Sequence, residues 1–303
     1  MRALLFPGQG AQYVGMASDI AAACTSAREL LLQAEKELGI PLGTIMAQGP
    51  EADLTRTDIS QPAILVHSLM AMELLREQGK LPAYTATAGL SLGEYTALVA
   101  AGALPALEAV KLVRLRGQAM QAAAEATPGG MVVLIGPDEA TAQKLCDAAA
   151  EGDVLVVANL NAPGQVVLAG AKPACERAIA KAKDFGIRRA MALGVAGAFH
   201  SPHMAPAAER LKAALVACPL RDPKVPVYTN VHAGPVRSAT EIPDLLVRQL
   251  TSPVRWADSV ARMHADGITE ALELGPGKTL CGMAARIAPA LACRNVDKAA
   301  DAG

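Results

Sequence analysis

Aromatic side chains are scarce in this 303-residue chain: 3% of it, with one tryptophan, four tyrosines and three phenylalanines. Large flat rings therefore cannot build the interior. Hydrophobic residues still make up 52%, so the core must come from small aliphatic side chains, a composition that suits helices packed on a sheet. Charge of either sign is also missing in excess, the formal net being −1. That leaves no electrostatic footprint for nucleic acid or an anionic membrane. The cysteines, Cys24, Cys146, Cys175, Cys218, Cys281 and Cys293, lack C-x-x-C spacing and form no compact framework. This argues against zinc, or any metal, and against a secreted disulfide scaffold, with a reducing cytoplasm the simplest setting. The opening Met1-Arg2-Ala3-Leu4-Leu5-Phe6 is too short for a signal h-region. No uninterrupted apolar run of about 18 residues suggests a membrane span.

What is present begins with Gly89-Leu90-Ser91-Leu92-Gly93, a G-x-S-x-G pattern. In such a turn a serine sits between strand and helix, and the flanking glycines remove side chains that would collide there. The short stretch Tyr84 to Gly89 reads as the strand and the residues from Gly93 onward as the helix. Ser91 then stands at a helix N-terminus, where unpaired backbone N–H groups favour negative charge.

The tract Ala3 to Phe6 reads as a buried first strand, followed by the turn Pro7-Gly8-Gln9-Gly10. Helices are expected around Arg28 to Leu38, Pro62 to Gln78 and Leu107 to Glu125. After Thr127-Pro128-Gly129-Gly130 the texture changes to short strands and helices in the order β-α-β-β-α-β, the split ferredoxin-like arrangement. Residues 127–196 are thus expected to form a small ferredoxin-like domain inserted into a larger α/β domain of residues 1–126 and 197–303. Further strands are expected at Val225 to Asn230 and Ile268 to Leu274.

A serine hydroxyl needs a base to take its proton, and histidine serves best because it titrates near neutrality. Of five histidines, His67 and His264 fall in helical tracts and His232 in a turn. His200 and His203 share a loop leaving the insert, a position where catalytic groups concentrate, and position alone does not separate them. The loop at Gly8-Gln9-Gly10 and the N–H of Leu92 are the expected oxyanion donors. Neither a dinucleotide fingerprint nor a phosphate loop fits: Tyr13 and Leu272 stand where glycines would be required. Winding residues 107–125 as a helix puts Arg116 in the middle of the apolar stripe, while Arg114 faces water. A buried guanidinium needs a partner. An internal ion pair with Asp or Glu would supply one, and a substrate carboxylate would supply another.

Together these residues resemble the malonyl-CoA:acyl carrier protein transacylase family, which includes the acyltransferase domains of polyketide synthases. The likeness rests on Phe6-Pro7-Gly8-Gln9-Gly10-Ala11-Gln12, Gly89 to Glu94, Arg116-Gly117, Gly197-Ala198-Phe199-His200-Ser201, Gln249-Leu250 with Pro253-Val254, and Glu273-Leu274-Gly275-Pro276-Gly277. It spans almost the whole chain. The resemblance implies an α/β-hydrolase-like large domain with a ferredoxin-like insert, Ser91 as nucleophile and His200 rather than His203 as base. It further implies that Gln249 orients the histidine through its backbone carbonyl, that Gln9 and Leu92 hold the oxyanion, and that Arg116 holds the malonyl carboxylate. Phe199 matches the malonyl-selective form of its loop. Relatives usually carry histidine where this chain has Leu90. The implied activity is malonyl transfer from coenzyme A to an acyl carrier protein through a serine ester, in a cytoplasmic monomer without a cofactor, malonyl-CoA being a substrate. A serine thioesterase or esterase, a trans-acting polyketide acyltransferase with another acyl preference, and a catalytically silent carrier-protein-binding subunit are the alternatives.

Overall fold

The computed structural model describes all 303 residues. Ten strands form two sheets: β1 (Arg2–Phe6), β2 (Ala86–Gly89), β3 (Gly129–Ile135), β4 (Leu155–Ala162), β5 (Gln165–Ala171), β6 (Arg189–Ala192), β7 (Val227–Tyr228), β8 (Pro235–Val236), β9 (Glu270–Leu274) and β10 (Ala292–Val296). The larger sheet runs β10-β9-β1-β2-β7-β8. Its pairings are parallel except at the β7–β8 edge.

A parallel sheet must be covered on both faces, and β1 shows how. Leu4 and Phe6 point into the main core with the helices Thr57–Glu77 and Ala106–Ala126, while Ala3 and Leu5 feed a second core around Trp256. The alternation follows from the two-residue period of a strand. Scarce aromatics are offset by small residues packed closely. A Cβ on Gly117 would lie 2.7 Å from the Thr57 carbonyl oxygen, so glycine there lets the two long helices approach.

The smaller sheet, β4-β5-β3-β6, is antiparallel, and the helices Glu139–Ala150 and Lys172–Lys181 cover one face. Its element order is the β-α-β-β-α-β expected from the sequence. Met131, Val133, Val167 and Ala169 on its other face join the main core. Backbone bonds Val254 N–H to Ala158 (2.8 Å) and Leu160 N–H to Val254 (2.9 Å) stitch β4 to the larger sheet's side. A cleft remains between the two.

Three expectations need correction. The helix expected from Pro62 starts at Thr57, with Pro62 inside it. Proline has no N–H for the Asp58 carbonyl one turn back, and the Arg114 guanidinium donates to that carbonyl instead. Arg114 also pairs with the Asp58 carboxylate at 2.8 Å, so it does not simply face water. Finally, Cys281 and Cys293 form a disulfide tying the helix Thr279–Ile287 to β10, a strand the sequence reading did not identify. The other four cysteines are free. No helix is long and apolar enough to cross a membrane.

Candidate active site

The serine turn is built by backbone crowding. A Cβ on Gly89 would lie 1.9 Å from the Gly93 carbonyl carbon, and one on Gly93 would lie 2.1 Å from the Phe6 carbonyl oxygen. Only glycine at both positions lets β1, β2 and the helix Gly93–Ala100 meet. Ser91 takes a left-handed φ of 52°, a conformation that costs on the order of 1–3 kcal/mol away from glycine. The strain is held by Asn230: its Oδ1 accepts the Ser91 N–H at 2.6 Å and its Nδ2 donates to the Gly89 carbonyl at 2.8 Å.

Ser91 Oγ meets two groups. His200 Nε2 lies 2.8 Å away and Arg116 NH2 donates to the same oxygen at 3.0 Å. His200 comes from the loop after β6 and Arg116 from the helix Ala106–Ala126. On its far side, His200 Nδ1 donates to the Gln249 main-chain carbonyl at 2.8 Å. That bond sets the tautomer and leaves Nε2 free to accept the serine proton. Burial, and then the Arg116 charge, push the His200 pKa down to about 4, against the raising effect of the Gln249 carbonyl. The imidazole is therefore neutral near pH 7.

Arg116 is 1% exposed. The internal ion pair considered from the sequence is not formed. Its guanidinium donates to neutral oxygens, Gln61 Oε1 at 2.6 Å and Gln249 Oε1 at 2.9 Å as well as Ser91 Oγ, and lies over the Tyr95 ring at 5.4 Å. A buried cation with only neutral partners is an unneutralised charge facing the cleft. An anion that enters there is attracted strongly, and a carboxylate matches the fork.

The cleft, about 500 Å³, is lined by Ser91, Leu92, Arg116, His200, Gln9 and Phe199 among others. The main-chain N–H groups of Gln9 and Leu92 have no protein acceptor, as oxyanion donors require. Asn159, Asn161 and Gln165 of the smaller sheet form the opposite wall, and Thr279, Leu280 and Met283 one end. Of the five histidines only His200 reaches this space. His67 bonds the Asp297 carbonyl, His232 the Thr229 hydroxyl and His264 the Ile268 carbonyl, while His203 stays outside. The six other residues singled out from the sequence thus gather around Ser91, Gln249 from behind the cleft.

The sequence matches the acyl transferase domain over residues 3–286. The chain belongs to the acyl transferase domain family. Malonyl CoA-acyl carrier protein transacylase of Bacillus subtilis is 41% identical over 286 residues, covering 94% of this chain and 90% of the relative. The protein of the same name from Escherichia coli K12 is 43% identical over 290 residues, 95% of this chain and 93% of the relative. The acyl carrier protein S-malonyltransferase structure from Vibrio cholerae superposes with TM-score 0.94 at 40% identity, covering 99% of this chain and 98% of that one. A malonyl-transacylase in complex with a type II PKS acyl-carrier protein gives TM-score 0.95 at 39% identity, with 99% and 97% covered.

This acyl transferase also uses residues the sequence reading passed over. Asn230, Glu94 and Gln61 lie buried around the serine and arginine. Asn230 ended an expected strand, and the C-terminal ends of parallel strands are where such folds place their sites. Glu94 directly follows the second glycine of the elbow. Leu90, the departure from the usual histidine, packs beside the second core and its N–H bonds the Phe6 carbonyl at 3.0 Å.

Proposed function

We propose that this acyltransferase moves a malonyl group from coenzyme A to the pantetheine thiol of an acyl carrier protein through a malonyl ester on Ser91. One observation carries the reading: a single oxygen, Ser91 Oγ, touches both a neutral imidazole and a buried guanidinium. His200 takes the serine proton as Oγ attacks the thioester carbonyl. The N–H groups of Gln9 and Leu92 receive the oxyanion, each such donor contributing roughly 3 kcal/mol. The thioester C–S bond then breaks, and the proton on His200 goes to the departing coenzyme A sulfur. In the second half the carrier thiol gives its proton to His200 and attacks the ester. The ester C–O bond breaks, and Ser91 Oγ regains a proton from His200.

Arg116 binds the free carboxylate of the acyl group, which aligns the thioester carbonyl with Oγ. When it does so, its bond to Ser91 Oγ is exchanged for bonds to substrate. Phe199 closes the wall beside the acyl group, leaving little room for a branch at the malonyl carbon. The names of the relatives, and the solved complex of a malonyl-transacylase with an acyl-carrier protein, support the donor and the acceptor. A monomer in the cytoplasm, with no cofactor and no nucleic-acid or membrane partner, completes the reading. A near-zero net charge supports the absence of a nucleic-acid or anionic-membrane partner.

A thioesterase on the same scaffold would need water to reach the ester. Incubating the protein with malonyl-CoA and a phosphopantetheinylated carrier protein, then measuring malonyl carrier protein against free malonate, separates the two. Malonyl carrier protein as the main product is expected. Malonate as the main product would contradict transfer.

A further inference from the structure

Behind Ser91, outside the lining of the cleft, lies a buried polar cluster: Glu94, Asn230 and Gln249. Glu94 is its only acid and forms no ion pair. Its Oε2 accepts two hydrogen bonds, from the Asn230 main-chain N–H at 2.8 Å and from Gln249 Nε2 at 2.9 Å. Gln249 Nε2 also donates to the Ser91 carbonyl at 3.1 Å.

A glutamine amide has one donor end and one acceptor end. With its donor end engaged by Glu94 and Ser91, its acceptor end, Oε1, must face the other way. There it receives Arg116 NH2 at 2.9 Å. Turned over, the amide would set N–H groups against the guanidinium N–H groups, donor against donor, and the fork would have to move. Glu94 Oε2, at 2.9 Å the nearest acceptor on the donor end, opposes that flip most, with the Ser91 carbonyl at 3.1 Å beside it. Asn230 Oδ1 adds only a long bond from Gln249 Nε2 at 3.5 Å, its shorter one at 2.6 Å coming from the Ser91 N–H.

We propose that Glu94 is a positioning residue for acyl selectivity: by fixing which end of the Gln249 amide faces Arg116, it aims the guanidinium at the carboxylate of the acyl group. This rests on the reading of Arg116 given above. The raised pKa of Glu94, about 7 with burial as the main cause, is compatible with the role, since Oε2 can accept in either charge state. The role is that of an acceptor, not of a counter-ion.

The test is the ratio of initial Ser91 acylation rates with malonyl-CoA and acetyl-CoA, read by intact-protein mass spectrometry. A purely structural loss lowers both rates together and leaves the ratio alone. Glu94→Gln keeps an acceptor oxygen and should hold the ratio within about threefold of the parent, whereas Glu94→Ala should lower it about tenfold or more, the effect expected of one misdirected charge-assisted hydrogen bond. A folded Glu94→Ala protein with the parent ratio would overturn the proposal. So would a Glu94→Gln protein that loses the ratio as Glu94→Ala does. Should Glu94→Ala fail to fold, Gln249→Leu, which keeps the main-chain carbonyl on His200 but removes the amide, must show the same fall, and an unchanged ratio there overturns the proposal equally. No malonyl adduct on the parent protein would instead overturn the reading of the whole site.

Discussion

His200 Nδ1 is held at 2.8 Å by the main-chain carbonyl of Gln249, an uncharged acceptor where a serine hydrolase would place a carboxylate. The carbonyl orients the ring but does not neutralise the imidazolium that forms when Ser91 gives up its proton. Burial, and then nearby Arg116, disfavour that cation, and the pKa falls to about 4. A weak base results, neutral over the whole physiological range. It need not compete with water for protons.

The pH dependence follows. Because the limb of kcat/KM reports the free enzyme's groups, Ser91 acylation by malonyl-CoA should stay level as pH falls through about 6.5, the ordinary histidine value, and decline only toward about 4. Stopped-time adduct measurements across that range check it. A midpoint near 6.5 would mean that His200 of the free enzyme titrates as an ordinary imidazole, and would contradict the account.

Arg116 is buried without an anion, so its removal should act on the acyl group that brings one. Arg116→Ala should lower kcat/KM for malonyl-CoA by about two orders of magnitude, in line with roughly 3 kcal/mol for a buried charge-assisted pair. Acetyl transfer should be spared or raised. Comparing the two acyl-CoA substrates in the variant checks this, and an equal loss for both would make the arginine a structural element.

Burial raises Glu94 from an ordinary 4.5 to about 7. Below about 4.5 folded and unfolded chains both hold the proton, so the full stability is present there. As pH rises, the unfolded chain releases its proton first and stability falls, until the folded carboxyl also ionises above about 7. Glu94→Gln removes that loss. The denaturation midpoint of the variant, relative to the parent, should therefore rise between about pH 5 and about pH 8, as urea titrations would show; a constant difference would mean that Glu94 ionises normally.

The disulfide gives a chemical count. Alkylation of the unfolded, unreduced protein should label four thiols, and prior reduction should expose all six. Closing a loop of 12 residues should contribute on the order of 3 kcal/mol, so Cys281→Ser should lower the midpoint. Six labels without reductant would show the pair to be free.

Much of this was legible because the decisive positions obey local rules. The elbow declares itself by two glycines whose absent Cβ atoms let three backbones meet, and Arg116 by a cation on an apolar helix stripe. The order of the smaller sheet follows from the alternation of short strands and helices. What escaped depends on contacts between distant segments. The fate of Arg114 turned on a carbonyl left free by Pro62, which helical winding alone does not show. Cys281 and Cys293 are brought together because β10 joins the sheet edge beside the helix carrying Cys281. Asn230 carries no spacing signal with Ser91, since the chain between them passes through the whole insert, and Glu94, although it stands three residues after the serine, gives no local sign of meeting Asn230 and Gln249.

The central claim is that Ser91 carries the acyl group. Intact-protein mass spectrometry after brief exposure to malonyl-CoA, with no carrier protein present, tests it most directly. The parent protein should gain one malonyl group, mapped to the peptide holding Ser91, and Ser91→Ala should gain none. A malonyl adduct persisting on Ser91→Ala would contradict the account.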